Sequence, residues 1–273
     1  MDDKDRESRH LMLITPERVF YAGLLGRPRA RCAGAFHVYV AIKGGIWIST
    51  DEGREAYGEL LALPPNVRHT VTSDYRSVIC VTIEPESVQP DTFDKLAKRL
   101  SGPENGCLAL RIRAAYGKLR DRQCGDDMTS PVFDRMCFGD PLPRRALDPR
   151  IVRGIARVDR FSGEPLTAAS CAREVGLSTS RFLHLFKQET GIAFRSFRAW
   201  KRARHLLHFA NQDLNLAHLA QDIGYPDSTH FSHSIRRFYG LKPRAIFSGS
   251  RDLAIYRSSR ADLSDSGLTQ EAN

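Results

Sequence analysis

Between Ala168 and Pro243 the chain writes one unit twice: an alanine on an apolar helix, a glycine four residues on, a short turn, an aromatic-studded helix and a closing glycine. Ala172, Gly176, Phe182, Phe186 and Gly191 correspond to Ala220, Gly224, Phe231, Ile235 and Gly240, at an offset of 48 residues that becomes 49. The slip falls where Leu177-Ser178 gives way to Tyr225-Pro226-Asp227, a turn that absorbs an insertion without disturbing the packing. In each copy a glycine, which enters the left-handed conformation without steric cost, ends the first helix. Ser178 or Asp227 then caps the second. Each copy is predicted to be a helix-turn-helix.

Phe182, Leu185 and Phe186 share one face of the second helix at the spacing a buried stripe requires. The opposite face presents Thr179, Ser180, Arg181, Leu183, His184 and Lys187, and in the second copy Ser228, Thr229, His230, His233, Arg236 and Arg237. Such donor-rich, cationic faces suit phosphates and base edges. One amphipathic helix always has a solvated polar face; two in register argue for an interface. Residues 151–245 contain 15 Lys plus Arg against 7 Asp plus Glu, so about +8 of the total +9 lies in this third of the chain. Between the units, 194–212 reads as one helix with Arg195, Arg198, Lys201, Arg202 and Arg204 on its polar face. Its length, roughly 25 to 30 Å, approaches the roughly 34 Å between successive major grooves. His230 and His233 sit at i and i+3, but no carboxylate or cysteine completes a zinc ligand set.

The run Ala172-x3-Gly176-Leu177-Ser178-x3-Phe182-x3-Phe186, with Gly191, and then Ile223-Gly224-Tyr225-x5-Phe231-x6-Phe238-Tyr239-Gly240-x2-Pro243, resembles the DNA-binding domain of AraC/XylS transcription regulators. The resemblance starts near Asp148, read as a cap, and Pro149, read as the first helical residue. It implies two recognition helices in neighbouring major grooves of double-stranded DNA. Ser180, Leu183 and His184 would face bases in one groove, and Thr229, His230 and His233 in the next. Leu183 stands where a long polar side chain is usual, and can contact only a thymine methyl.

The amino-terminal half has short β-branched or aromatic segments at 35–42, 46–50, 59–63 and 77–83, separated by Gly, Pro, Asn and Asp. With Pro64-Pro65 and His69 it is similar to the cupin-like jelly-roll sensory domain often joined to such DNA-binding domains. The expected fold is therefore α+β with two domains: a cupin-like β-barrel with flanking helices over 10–140, a linker at 141–147, an all-α domain of two helix-turn-helix units over 148–248, and a loosely ordered tail at 249–273. His37 and His69 are two ligands, too few for a metal. The alternative of a metal-dependent cupin enzyme fused to a DNA-binding domain is thus set below a non-catalytic pocket, with no cofactor and no catalytic residue. Arg27 and Arg31 are spaced to clamp a carboxylate or phosphate. These four residues form the candidate effector site.

Helical periodicity returns with Phe93, Leu96 and Leu100, then Leu108, Ile112, Ala115 and Leu119, a hairpin that either packs on the barrel or pairs with a second copy. The six cysteines, at 32, 80, 107, 124, 137 and 171, include no Cys-x2-Cys pair and read as free thiols. The start is charged and no run of eighteen residues is apolar, which predicts a cytoplasmic protein without a membrane anchor. The expected function is sequence-specific transcription regulation, more often activation than repression. RNA polymerase, a small-molecule effector and a homodimer partner are expected alongside DNA.

Overall fold

A computed structural model describes residues 10–27, 29–121, 128–160, 166–212, 214–247 and 253–258. Eight strands come first: β1 (His10–Ile14), β2 (Arg18–Leu24), β3 (Phe36–Ala41), β4 (Ile46–Thr50), β5 (Glu55–Gly58), β6 (Leu60–Leu63), β7 (His69–Ser73) and β8 (Ser77–Ile83). Helices α1 (Thr92–Ser101), α2 (Asn105–Arg120) and α3 (Ser130–Phe138) follow. The remainder is helical: α4 (Pro149–Asp159), α5 (Ala168–Glu174), α6 (Thr179–Thr190), α7 (Phe194–His205), α8 (Leu216–Asp222), α9 (Ser228–Tyr239) and α10 (Pro243–Phe247). A last strand, β9 (Leu253–Arg257), pairs parallel with β1. The tail expected to be loose is thus a sheet edge over these five residues.

In place of the expected closed barrel stand two sheets, of order β6-β3-β8-β2-β1-β9 and β5-β4-β7. The larger sheet is covered on both faces. Phe20, Ala22, Val38, Val40, Ile79, Val81 and Ile83 meet α1 to α3 on one side. On the other, Tyr39, Ala41 and Val78 meet Ile46, Ile48 and Val71 of the smaller sheet, and Met12, Ile14 and Val19 meet Leu207, Ala210 and Ile246 of the helical half. Strands buried on both faces lose the apolar-polar alternation that exposes a strand in a sequence. Of the eight strands, β1, β2, β5 and β7 were not among the four expected segments.

The helical half has two small cores. Ile151, Cys171, Ala172, Phe182, Phe186, Phe194 and Phe197 fill the first, and Leu206, Leu219, Ala220, Ile223, Phe231 and Ile235 the second. Asp148 accepts the Arg150 N–H at 2.8 Å and Pro149 opens α4, as the sequence suggested. The single helix expected over 194–212 is α7 continued by a 3-10 turn at Leu206–Phe209. Two of its cations, Lys201 and Arg204, are buried against the sheet rather than solvated.

Candidate functional site

Each helix-turn-helix is built by local chemistry. Gly176 and Gly224 end α5 and α8 at φ of 68° and 82°. The Ser178 hydroxyl then accepts the Arg181 N–H at 3.3 Å, and Asp227 Oδ1 accepts the N–H groups of Thr229 and His230 at 2.8 Å. Both caps satisfy donors that a helix start leaves free. Phe182 and Phe186 turn inward onto Phe194 at ring separations of 5.3 and 5.1 Å, and Phe186 also meets Phe197. Phe231, Ile235 and Phe238 do the same for α9.

What is left outward is the predicted set. Ser180, Arg181, Leu183, His184 and Lys187 of α6, and Ser228, Thr229, His230, His233, Arg236 and Arg237 of α9, are all exposed. The His230 ring is held by Asp227 Oδ2 at 2.8 Å, so this imidazole is oriented before anything binds. The Asp227 carboxyl is held below its usual range by the His230 backbone N–H and then by the ring itself. Arg237 bends over Phe238, its guanidinium 5.3 Å from the ring centre.

The four proposed effector residues part company. Arg27, Arg31 and His37 line one cavity of about 540 Å³ between the large sheet and α7, α9 and α10. His69 lies behind it, its Nε2 3.0 Å from the Tyr39 hydroxyl and its Nδ1 2.9 Å from the Val67 carbonyl oxygen. Burial lowers both imidazoles, His37 to about 3 and His69 to about 4, so both are neutral near pH 7. Burial likewise pushes the Cys80 thiol up to about 12, and this lining cysteine is no nucleophile. Sequence reasoning missed Arg29, Trp200, Arg204 and Lys242 of the same wall. Arg29 sits inside the Arg27–Arg31 cluster and was legible; the other three are contributed by the distant helical half.

Around the cavity the halves are held by charge. Glu84, fully buried, accepts the Trp200 indole N–H at 3.0 and 3.1 Å. Arg204 Nε stands 2.9 Å from Glu84 Oε1, a charge contact off the hydrogen-bonding axis, while its Nη2 donates to the carbonyl oxygens of Thr15 and Arg18. Lys201 Nζ lies 2.6 Å from Glu86, 3.5 Å from Glu84 and 3.9 Å from Asp159. Burial alone would lower the Lys201 ammonium, but Asp159, Glu84 and Glu86 more than reverse this and raise it above its ordinary value. The Cys32 N–H also donates to the Arg237 carbonyl oxygen at 2.7 Å, joining the loop before β3 to α9.

Among the described residues, no group of three or more His, Cys, Asp or Glu gathers in a metal-holding arrangement. Cys32, Cys80, Cys107, Cys137 and Cys171 are free thiols, and Cys124 lies outside the described residues. No described helix is long and apolar enough to cross a membrane.

A family model described as a helix-turn-helix domain matches residues 171–248. Over 158 residues the chain is 32% identical to the HTH-type transcriptional activator RhaS of Escherichia fergusonii, covering 53% of this chain and 56% of that protein. Residues 171–248 thus form a helix-turn-helix domain of the AraC type. The arabinose operon regulatory protein of Escherichia coli, 28% identical over 95 residues, covers 34% of this chain and 32% of its own length. The chain thus spans from about a third to just over half of the length of these curated AraC/XylS relatives. In fold the likeness extends further: an apo form of ToxT from Vibrio cholerae superposes on 85% of this chain and 97% of its own, with a TM-score of 0.53 at 12% identity.

Proposed function

We propose that the chain is a sequence-specific, DNA-binding transcription regulator. Helices α6 and α9 enter successive major grooves of double-stranded DNA, and a small molecule in the seam cavity biases how the second unit is held. The observation that carries this reading is the pair of exposed, cation-bearing helix faces in a duplicated unit matched by the helix-turn-helix model. The face residues sort by chemistry. Arg181, Lys187, Arg236 and Arg237 suit phosphates, while Ser180, His184, Thr229 and His233 offer donors and acceptors to base edges. Leu183, 39% exposed, has only a methyl surface to offer. Linker helix and 3-10 turn together span roughly 26 Å, a spacing compatible with adjacent grooves.

Activation through contact with RNA polymerase is the direction favoured here, activator being the word in the name of the RhaS relative. The two sheets are read as a sensory unit of cupin-like descent, with 141–147 as its linker to the DNA-binding unit and the α1–α2 hairpin as its pairing surface. Selection of random duplex DNA on the purified protein, followed by sequencing, tests the central claim. Two conserved blocks about one helical turn apart are expected; retention without a motif would refute base readout.

A further inference from the structure

We infer that Asp227 is a positioning residue for base readout: it fixes which ring nitrogen of His230 carries the proton, and so makes the outward nitrogen an acceptor. The two carboxylate oxygens divide their work. Oδ1 caps α9, accepting the N–H groups of Thr229 and His230, each at 2.8 Å. Oδ2 stands 2.8 Å from Nδ1 of the His230 ring. Hydrogen bonds from the His230 backbone and then from its ring hold the Asp227 carboxyl in the charged form. A carboxylate has no proton to give, so Nδ1 donates. The neutral imidazole carries one N–H, and Nε2 is left with its lone pair.

That lone pair matters because His230 is the third residue of α9 and its side chain is 68% exposed. Residues in the first turn of a recognition helix are the ones that meet base edges. An acceptor there selects the exocyclic amine of adenine or cytosine, whereas a donor selects guanine O6 or thymine O4. The Asp227–His230 pair therefore reads amino bases against keto bases at one position of the site, an inference that rests on the regulator reading above. The first unit lacks this device. Its cap is Ser178, and the third residue of α6 is Arg181, a donor in every state.

Asparagine at 227 separates the two tasks. Its Oδ1 keeps the cap, for asparagine is as good at that position as aspartate. Its Nδ2 puts a donor where Oδ2 was, so the ring Nδ1 must accept and the proton moves to Nε2. A residue that only capped the helix would leave base preference untouched by this exchange.

The test takes two measurements on the full chain. The first is heteronuclear NMR of the ring nitrogens in the DNA-free, histidine-labelled protein at about pH 8, with the His230 signals identified by their loss in His230→Ala. Nδ1 is expected to carry the proton in the unaltered chain, and Nε2 in Asp227→Asn. An unaltered ring protonated at Nε2 overturns the inference. The second is selection of random duplex DNA by both proteins at the same pH. One position in the second block is expected to change from adenine or cytosine to guanine or thymine, each preference being about threefold to tenfold, while the other positions stay. The same preferences at every position overturn the inference and leave the regulator standing. No motif in the unaltered protein removes the regulator reading and this inference with it. If thermal melts show that Asp227→Asn does not fold, Asp227→Ser decides. Serine caps the helix but leaves the ring unheld, so preference at that position should fall to near even; its retention overturns the inference.

Discussion

Replacing Glu84 by glutamine removes one negative charge from the centre of the seam and almost nothing else. The carboxylate is fully buried and serves Trp200, Arg204 and Lys201 together. Glutamine keeps an oxygen for the Trp200 indole, so that hydrogen bond survives. Arg204 keeps the Thr15 and Arg18 carbonyl oxygens, and Lys201 keeps Glu86. Removing one partner of a buried ion pair costs about 3 to 5 kcal/mol. With both cations still partly satisfied, the lower end, about 3 kcal/mol, is expected. For a chain of this size that lowers Tm by roughly 6 to 12 °C if unfolding is two-state. Glu84→Ala, which also loses the indole bond, should cost about 1 kcal/mol more. The assay is urea unfolding followed by far-ultraviolet circular dichroism and by Trp fluorescence, with Trp47→Phe as background so that Trp200 reports alone. A loss below about 1 kcal/mol would refute the claim that the seam is held by this charge. So would failure of Lys201→Met to restore part of the loss in Glu84→Gln, since a buried cation short of its partner is better replaced by an apolar group.

Acidification should weaken the fold before any carboxylate titrates. The unfolded chain binds protons at His37 and His69 near pH 6.5, whereas the folded chain does so only near 3 and 4. Stability therefore rises with pH across that window and is lost on descent, by about 2 kcal/mol per histidine between pH 6.5 and 5; urea midpoints that do not move between pH 7.5 and 5 would contradict the burial of both rings. Gly176→Ala should cost about 1 to 2 kcal/mol from its positive φ of 68° alone, since a Cβ there would meet open space. Gly240→Ala should cost roughly 1 to 3 kcal/mol more, because a Cβ there would stand 2.8 Å from the Arg29 carbonyl oxygen; equal costs by thermal melts would show that this loop does not press on α9. His233→Ala and Thr229→Ala should each lower affinity for a selected duplex by about 1 to 3 kcal/mol with little change in non-specific binding, and fluorescence anisotropy showing unchanged discrimination in both would count against base readout by α9.

The helical half was legible because its signals are local. A glycine, a capping side chain and an aromatic stripe lie within twenty residues of one another, and each copy verifies the other. The large sheet was half legible. Strands such as β4, with its alternating burial, announce themselves, but β1 and β2 are covered on both faces and read as plain apolar runs. The seam was not legible at all. Lys201 and Arg204 look like any solvated helix cations until Glu84, more than a hundred residues earlier, is placed beneath them. The Arg27–Arg31 cluster pointed to an anion, yet nothing local says that Trp200 and Lys242 supply the opposite wall.

The pairing of β9 with β1 has a consequence for how such a chain is dissected. The helical half leaves the sheet near residue 148 and returns to it at Leu253, so it is moored at both ends rather than swung from one tether. A fragment cut at 140 would expose the outer edge of β1, His10–Ile14, an apolar row of unpaired N–H and C=O groups. Such an edge invites another chain to take the missing strand's place. An oligomer measured on that fragment would report the cut, not the protein.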